Sequence, residues 1–244
     1  MDLHYLYLAV NLGCLAFPLL LSFEKRIRFF NNWKALLTGT LLMMVLFIPW
    51  DSFFTHHGIW GFNENYILGI YALGLPLEEW LFFICIPYAC LFTYECVRYF
   101  KPVPPSHRFT LITGSALAGF SLTLAIAFHS HWYTALACVL CAILLALHLW
   151  YWRSNWLGWI FITWFILMLP FYVSNGILTG ISFWEYPILN ISPEKIADQI
   201  VWYNNDHNLG LRIWTVPADD FFYGLLMFLL SATGYEAVLK RSKA

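Results

Sequence analysis

Seven runs of apolar residues, each close to the length of a bilayer span, divide this chain of 244 residues. They fall at residues 3–23, 33–50, 73–97, 109–128, 132–152, 156–173 and 213–239. A helix needs about 20 mostly apolar residues to cross the hydrocarbon core of a bilayer. Charged residues make up only 11% of the chain, where an ordinary soluble domain carries about 25%. So few charges cannot wet the surface of a water-soluble body of this size. The sequence therefore predicts an all-α integral membrane bundle of seven transmembrane helices, with the lipid bilayer as its solvent. The formal net charge of −1 gives no electrostatic basis for binding nucleic acid. No basic stretch precedes the first apolar run, which reads as a retained helix rather than a cleaved signal. Six cysteines lie in or at the ends of apolar runs and read as buried thiols.

Positive residues set the orientation, because short cytoplasmic loops are enriched in Lys and Arg. Lys25, Arg26, Arg28 and Lys34 flank the first loop, and Arg98, Lys101 and Arg108 follow the third run. Arg153 follows the fifth, and Lys240, Arg241 and Lys243 follow the seventh. Alternation places all of them on one side, leaving Lys195 and Arg212 on the other. The expectation is a multi-pass protein of the cell membrane. Its N-terminus lies outside, its C-terminus in the cytoplasm, and the two long polar stretches, 51–66 and 174–212, outside.

The chain also repeats itself. Pro49 and Pro170 read as the ends of the second and sixth helices, each ahead of a polar outer loop. Each loop leads to a proline, a spacer and two acids: Pro76-Leu77-Glu78-Glu79 and Pro217-Ala218-Asp219-Asp220. Sixteen residues after the second acid comes another, Glu95 or Glu236, preceded by Tyr94 or Tyr235. Internal symmetry of this kind is common in membrane proteins. Two parallel three-helix repeats are expected, at 1–100 and 132–244. A linker helix at 101–131 returns the chain to the side on which the second copy must begin.

Acids in the first turn of a helix complement its dipole and cap its free N–H groups. That ordinary reading weakens here, since the acids are doubled, recur, and fall on the same side of the membrane. Adjacent helical residues diverge by about 100°, so one acid of each pair can point inward while its neighbour caps. Inward acids from the third and seventh helices would form a carboxyl dyad. Two carboxyls crowded in a dry site cannot both ionise, so one proton stays in place, as a general acid requires. An acid in such surroundings can protonate a carbon–carbon double bond of a lipid-soluble polyene. The resulting cation is stabilised by aromatic faces, and Trp50, Trp60, Trp80, Phe82, Phe83, Trp202, Tyr203, Trp214, Phe221 and Phe222 surround the two motifs in sequence.

The two acidic motifs, Pro49-Trp50-Asp51 ahead of the first outer loop, and Asn175-Gly176-Ile177-Leu178-Thr179-Gly180 in the second copy resemble the membrane lycopene beta-cyclases. These are the heterodimeric type of some Gram-positive bacteria and the fused single-chain type of archaea, fungi and Bacteroidetes. The resemblance covers both halves; the phytoene synthase domain that fungal members also carry is not expected here. It implies a non-redox cyclisation of lycopene and other carotenoids with acyclic ends. C2 of the end group is protonated, the C5–C6 double bond attacks the C1 cation, and a proton leaves C6, giving a β ring. The family's acidic motif carries over to Glu78, Glu79, Asp219 and Asp220 as catalytic residues. The aromatic residues above other than Trp80, with Asp51 and Asn175, are then expected to line the substrate site, with Asp51 or an opposed carboxylate as base. No cofactor and no metal are expected, and other enzymes of carotenoid synthesis are conceivable partners.

Rival readings fit less well. Retinal needs a lysine in mid-helix, and all six lysines fall in loops or at ends. A di-iron oxygenase needs histidines clustered at helical spacing, and only His56-His57 and His129-x-His131 come close. A prenyltransferase needs two aspartate-rich motifs around a magnesium-bound diphosphate. No GxGxxG fingerprint for a dinucleotide opens a strand–helix unit. A transporter or binding protein for a lipophilic molecule, using the acids for proton coupling, is the strongest alternative of another class.

Overall fold

The structure is a computed structural model that describes residues 3–191 and 196–242; Lys195 and Lys243, used above for orientation, lie outside them. Seven helices among the described residues are long and apolar enough to cross a membrane. They are α1 (Leu6–Leu21), α2 (Trp33–His56), α3 (Leu77–Phe100), α4 (His107–Ala127), α5 (Trp132–Ala146), α6 (Leu157–Thr179) and α7 (Asp220–Ser242). A π-helical turn, Leu147–Tyr151, extends α5. The apolar outer faces of these spans, such as Leu20, Val45, Phe165 and Leu169, are exposed, as a lipid solvent allows. All six cysteines are free; Cys138 and Cys141, spaced as CxxC along α5, are buried, while Cys14 and Cys96 are only partly so.

Two helix ends differ from expectation. Pro49 and Pro170 lie inside α2 and α6, which continue to His56 and Thr179. Proline removes one backbone donor and crowds the carbonyl four residues back, yet packed neighbours and side-chain hydroxyls let a membrane helix run on. One turn on, the Ser174 hydroxyl donates to the Pro170 carbonyl at 2.9 Å. Asp51 and Asn175 therefore ride on helices rather than loops. At the other border, α3 and α7 start later than their apolar runs. The residues just before them fold back as hairpin strands.

Those hairpins fill the polar stretches. β2 (Tyr71–Ala72) pairs antiparallel with β3 (Leu75–Pro76) ahead of α3, and β6 (Arg212–Ile213) with β7 (Val216–Pro217) ahead of α7. β4 (Leu189–Asn190) flanks β6. The first turn places Leu73 and Gly74 at φ of 53° and 77°, the left-handed pair a two-residue hairpin needs. β1 (Trp60–Phe62) and β5 (Val201–Tyr203) pair antiparallel, so the two loops strap each other across one end of the bundle. Gly61 is required there, since a Cβ would come within 2.4 Å of the Trp202 ring.

The halves interlock. α2 packs most extensively on α7, α6 packs on α3, and α4 lies against α5 and α6. The α2–α7 seam is close because a Cβ on Gly39 would lie 2.2 Å from the Ser231 carbonyl. At the opposite end from the strap, Arg98 pairs with Glu236 at 2.6 Å and with Glu95 at 3.4 Å. The Tyr94 hydroxyl donates to Glu236 and the Tyr235 hydroxyl to Glu95, at 2.7 and 3.0 Å. The outlying acids of the sequence motif thus tie α3 to α7.

Candidate functional site

Each acidic pair splits as helical geometry requires. Glu78 turns back to its hairpin loop, where it accepts from the Leu68 amide at 2.8 Å. Asp219 does the same with the Leu209 amide at 3.1 Å and also accepts from the Thr134 hydroxyl. Burial pushes the Asp219 carboxyl above the usual aspartate range, while those two donors pull it down. The second acid of each pair faces inward. Glu79 accepts from the Tyr7 hydroxyl of α1. Asp220 accepts from the Tyr133 hydroxyl of α5, from the Asn175 amide of α6 at 2.6 Å, and from the Tyr203 hydroxyl of β5 at 3.2 Å.

Glu79, Asp220 and Asp51 line one cavity of about 720 Å³ under the strap. A knot of rings surrounds the acids. The Trp60 ring lies 5.0 Å from Tyr133, 6.0 Å from Tyr203 and 6.0 Å from Tyr223. Away from the acids the walls turn apolar, with Val10, Gly13 and Phe17 of α1, Ala89 of α3, Val173 of α6 and Met227 of α7. Ten residues separate Tyr7 from Phe17, so the slot follows α1 for about 15 Å at 1.5 Å per residue. Phe17 and Val173 are themselves exposed on the outside of the bundle, so the lining of the slot reaches the outer surface at α1 and α6.

Of the residues expected to line the site, Asp51, Trp60, Phe82, Asn175 and Tyr203 do so. Trp50, Phe83, Trp202, Trp214, Phe221 and Phe222 do not. Trp50 packs on Phe47 and on the back of Tyr223, and Phe83 on Phe47. Phe221 packs on Trp164, and Phe222 on Phe120 of α4. Trp214 packs on Phe183, and Trp202 crosses Gly61 on the outer surface. Adjacent residues on a helix or strand point different ways, so neighbours of a lining residue are turned into the packing. Trp80 is likewise outside the cavity's walls at the acids and donates its indole N–H to the Ala72 carbonyl at 3.1 Å.

Sequence reasoning missed Tyr7, Tyr133, Tyr223 and Trp164, all of which line the cavity. The signal lay in Tyr7 and Tyr133, each at the start of the first helix of its half. Arg212 was counted only as a loop charge, yet it is 1% exposed. Its guanidinium donates to the Thr215 carbonyl at 2.7 Å and to Asn205 at 3.1 Å, and lies 5.6 Å from the Tyr203 ring. Burial lowers its pKa, against the raising influence of Tyr203 and Asp220. Among the described residues no three His, Cys, Asp or Glu side chains gather as a metal site.

Fold and site together define a seven-span membrane protein that brings buried carboxyls and aromatic faces to the closed end of a hydrocarbon-lined slot. The lycopene cyclase family model matches residues 4–97 and 130–238, and the chain belongs to that family of enzymes. It is 28% identical over 147 residues to a bifunctional lycopene cyclase/phytoene synthase of Aspergillus oryzae, covering 57% of this chain and 23% of that protein. It is 30% identical over 97 residues to a bifunctional lycopene cyclase/phytoene synthase of Neurospora crassa, covering 39% of this chain and 14% of that one. The chain thus spans less than a quarter of the length of these curated relatives. No solved structure matches it.

Proposed function

We propose that this chain is a lycopene beta-cyclase that closes acyclic carotenoid ends by proton-initiated, non-redox cyclisation. The observation that carries the reading is one cavity in which Glu79 of the first half and Asp220 of the second meet, continuous with an apolar slot. The slot receives the polyene chain and the acidic end receives the terminal group. One inward carboxyl protonates C2, ring closure moves the charge from C1 to C5, and a carboxylate removes the proton from C6. Trp60, Tyr133, Tyr203 and Tyr223 offer their faces to the passing cation, an attraction that strengthens when water is absent. Glu78 and Asp219 act at one remove, by pinning the hairpins from which α3 and α7 start. The strap holds bulk water off the cation, which would otherwise be captured as an alcohol.

The repeated motif supports two three-helix repeats at 1–100 and 132–244 joined by a linker helix. The positive-charge pattern supports a cell-membrane protein with the strap outside and its C-terminus in the cytoplasm. The test is expression in bacteria that accumulate red lycopene. The expected outcome is β-carotene, with γ-carotene as the half-cyclised intermediate. Unchanged lycopene beside normally accumulated membrane protein would overturn the reading.

A further inference from the structure

The two acidic ends share a plan and differ in what faces the inward carboxyl. In the second half the Asn175 amide, in the last turns of α6, donates to Asp220. In the first half the last turns of α2 carry Asp51 instead, 2% exposed and lining the same cavity as Glu79. One oxygen of Asp51, Oδ2, is buried without a hydrogen-bond partner. The hairpins differ in parallel. Arg212 begins β6 and pairs with Pro217, and its guanidinium backs the Tyr203 ring that serves Asp220. Tyr71 begins β2 and pairs with Pro76, and it is exposed.

Three donors and a buried cation behind one of them favour a carboxylate. Two carboxyls sharing a dry wall disfavour double ionisation, so that such a pair holds a proton. Facing this pair are the phenols of Tyr7, Tyr203 and Tyr223, the Trp60 indole, which donates toward Asp51, and the neighbouring carboxyl of Glu78; no cation approaches it among the described residues. We infer that the halves are specialised: the Asp51–Glu79 pair shares one proton, which Glu79 delivers to start ring closure, and Asp220 is the base that ends it.

This assignment rests on the cyclase reading and refines it. The Glu79 O–H bond breaks and a C–H bond forms at C2. The C5–C6 π pair forms the C1–C6 bond and leaves the charge at C5. The C6–H pair then becomes the C5–C6 double bond as its proton passes to Asp220. Nothing is oxidised or reduced, and the proton gained by Asp220 must return to Glu79 before the next turn. Asp51 is a positioning residue, since it acts through Glu79.

The deciding measurement needs no pigment. Infrared spectra of the full chain in lipid nanodiscs, at neutral pH in H2O and D2O, read the C=O stretch of protonated carboxyls. Glu79→Gln is expected to remove a deuterium-sensitive band that Asp220→Asn leaves in place, and Asp51→Asn is expected to weaken it. Loss of that band in Asp220→Asn, its persistence in Glu79→Gln, or an unchanged band in Asp51→Asn would each overturn the assignment. Failure of the cyclase reading shows separately, as absence of cyclised pigment from the unaltered chain.

Discussion

The end of the cavity built by α2 and α3 sets a carboxyl against a carboxyl. The end built by α6 and α7 sets a carboxyl against an amide. Both inward acids start a helix after a short hairpin, and both accept a phenol from the first helix of their half, Tyr7 or Tyr133. The scaffold places the groups, and the facing residue decides what each can do with a proton. Asp51 and Asn175 differ by little more than one atom, yet one facing group disfavours a second charge while the other donates to it.

Removing either inward acid breaks the comparison most severely. Glu79→Gln and Asp220→Asn are each expected to lower β-carotene yield by about 10²–10⁴-fold, the range for loss of a general acid or base. Pigment chromatography of lycopene-producing cells with matched protein levels reads this. A full yield from either variant removes that half from the chemistry. Next in size is loss of the donors on Asp220. Asn175→Ala removes a 2.6 Å bond to a charged group, a kind of contact worth about 1.5–3 kcal/mol, so turnover is expected to fall about ten- to a hundredfold. Tyr203→Phe, which removes the longer 3.2 Å bond, is expected to cost less.

Two glycines sharpen the distinction between slot and scaffold. A Cβ at Gly13 meets nothing within 4 Å, whereas one at Gly39 collides with backbone of α7. Gly13→Leu is expected to raise the apparent KM for pigment while leaving thermal stability near that of the unaltered chain. Gly39→Ala is expected to do the reverse, destabilising the bundle by about 1–3 kcal/mol as overpacked sites do; a thermal melt in detergent separates them. The smallest effect belongs to Phe222, which packs on Phe120 rather than lining the cavity. Phe222→Leu is expected to leave the product ratio unchanged, and an altered ratio would mean that α4 reaches the substrate.

The spans were legible because twenty apolar residues have few other uses. Their ends were less so, since Pro49 and Pro170 carry the same letters whether they stop a helix or sit within one. The inward acids were legible through repetition: one acidic pair at a helix start is an ordinary cap, whereas two such pairs after matched polar loops constrain each other. The aromatic wall was only half legible. Phe82 and Phe83 are alike in sequence, and where both faces of a helix are apolar no periodicity says which one looks inward. Arg212 was hidden for a different reason, since its burial comes from a hairpin folding over it and not from its neighbours in the chain.

The strap from β1 and β5 closes one end of the slot, while Phe17 and Val173 mark an opening on the flank of the bundle. A guest using that doorway moves within a sheet of acyl chains and never through bulk liquid. Its effective abundance is then counted per lipid molecule. Saturation curves taken at different lipid loads should diverge when plotted against molarity and collapse together when plotted against mole fraction in the bilayer.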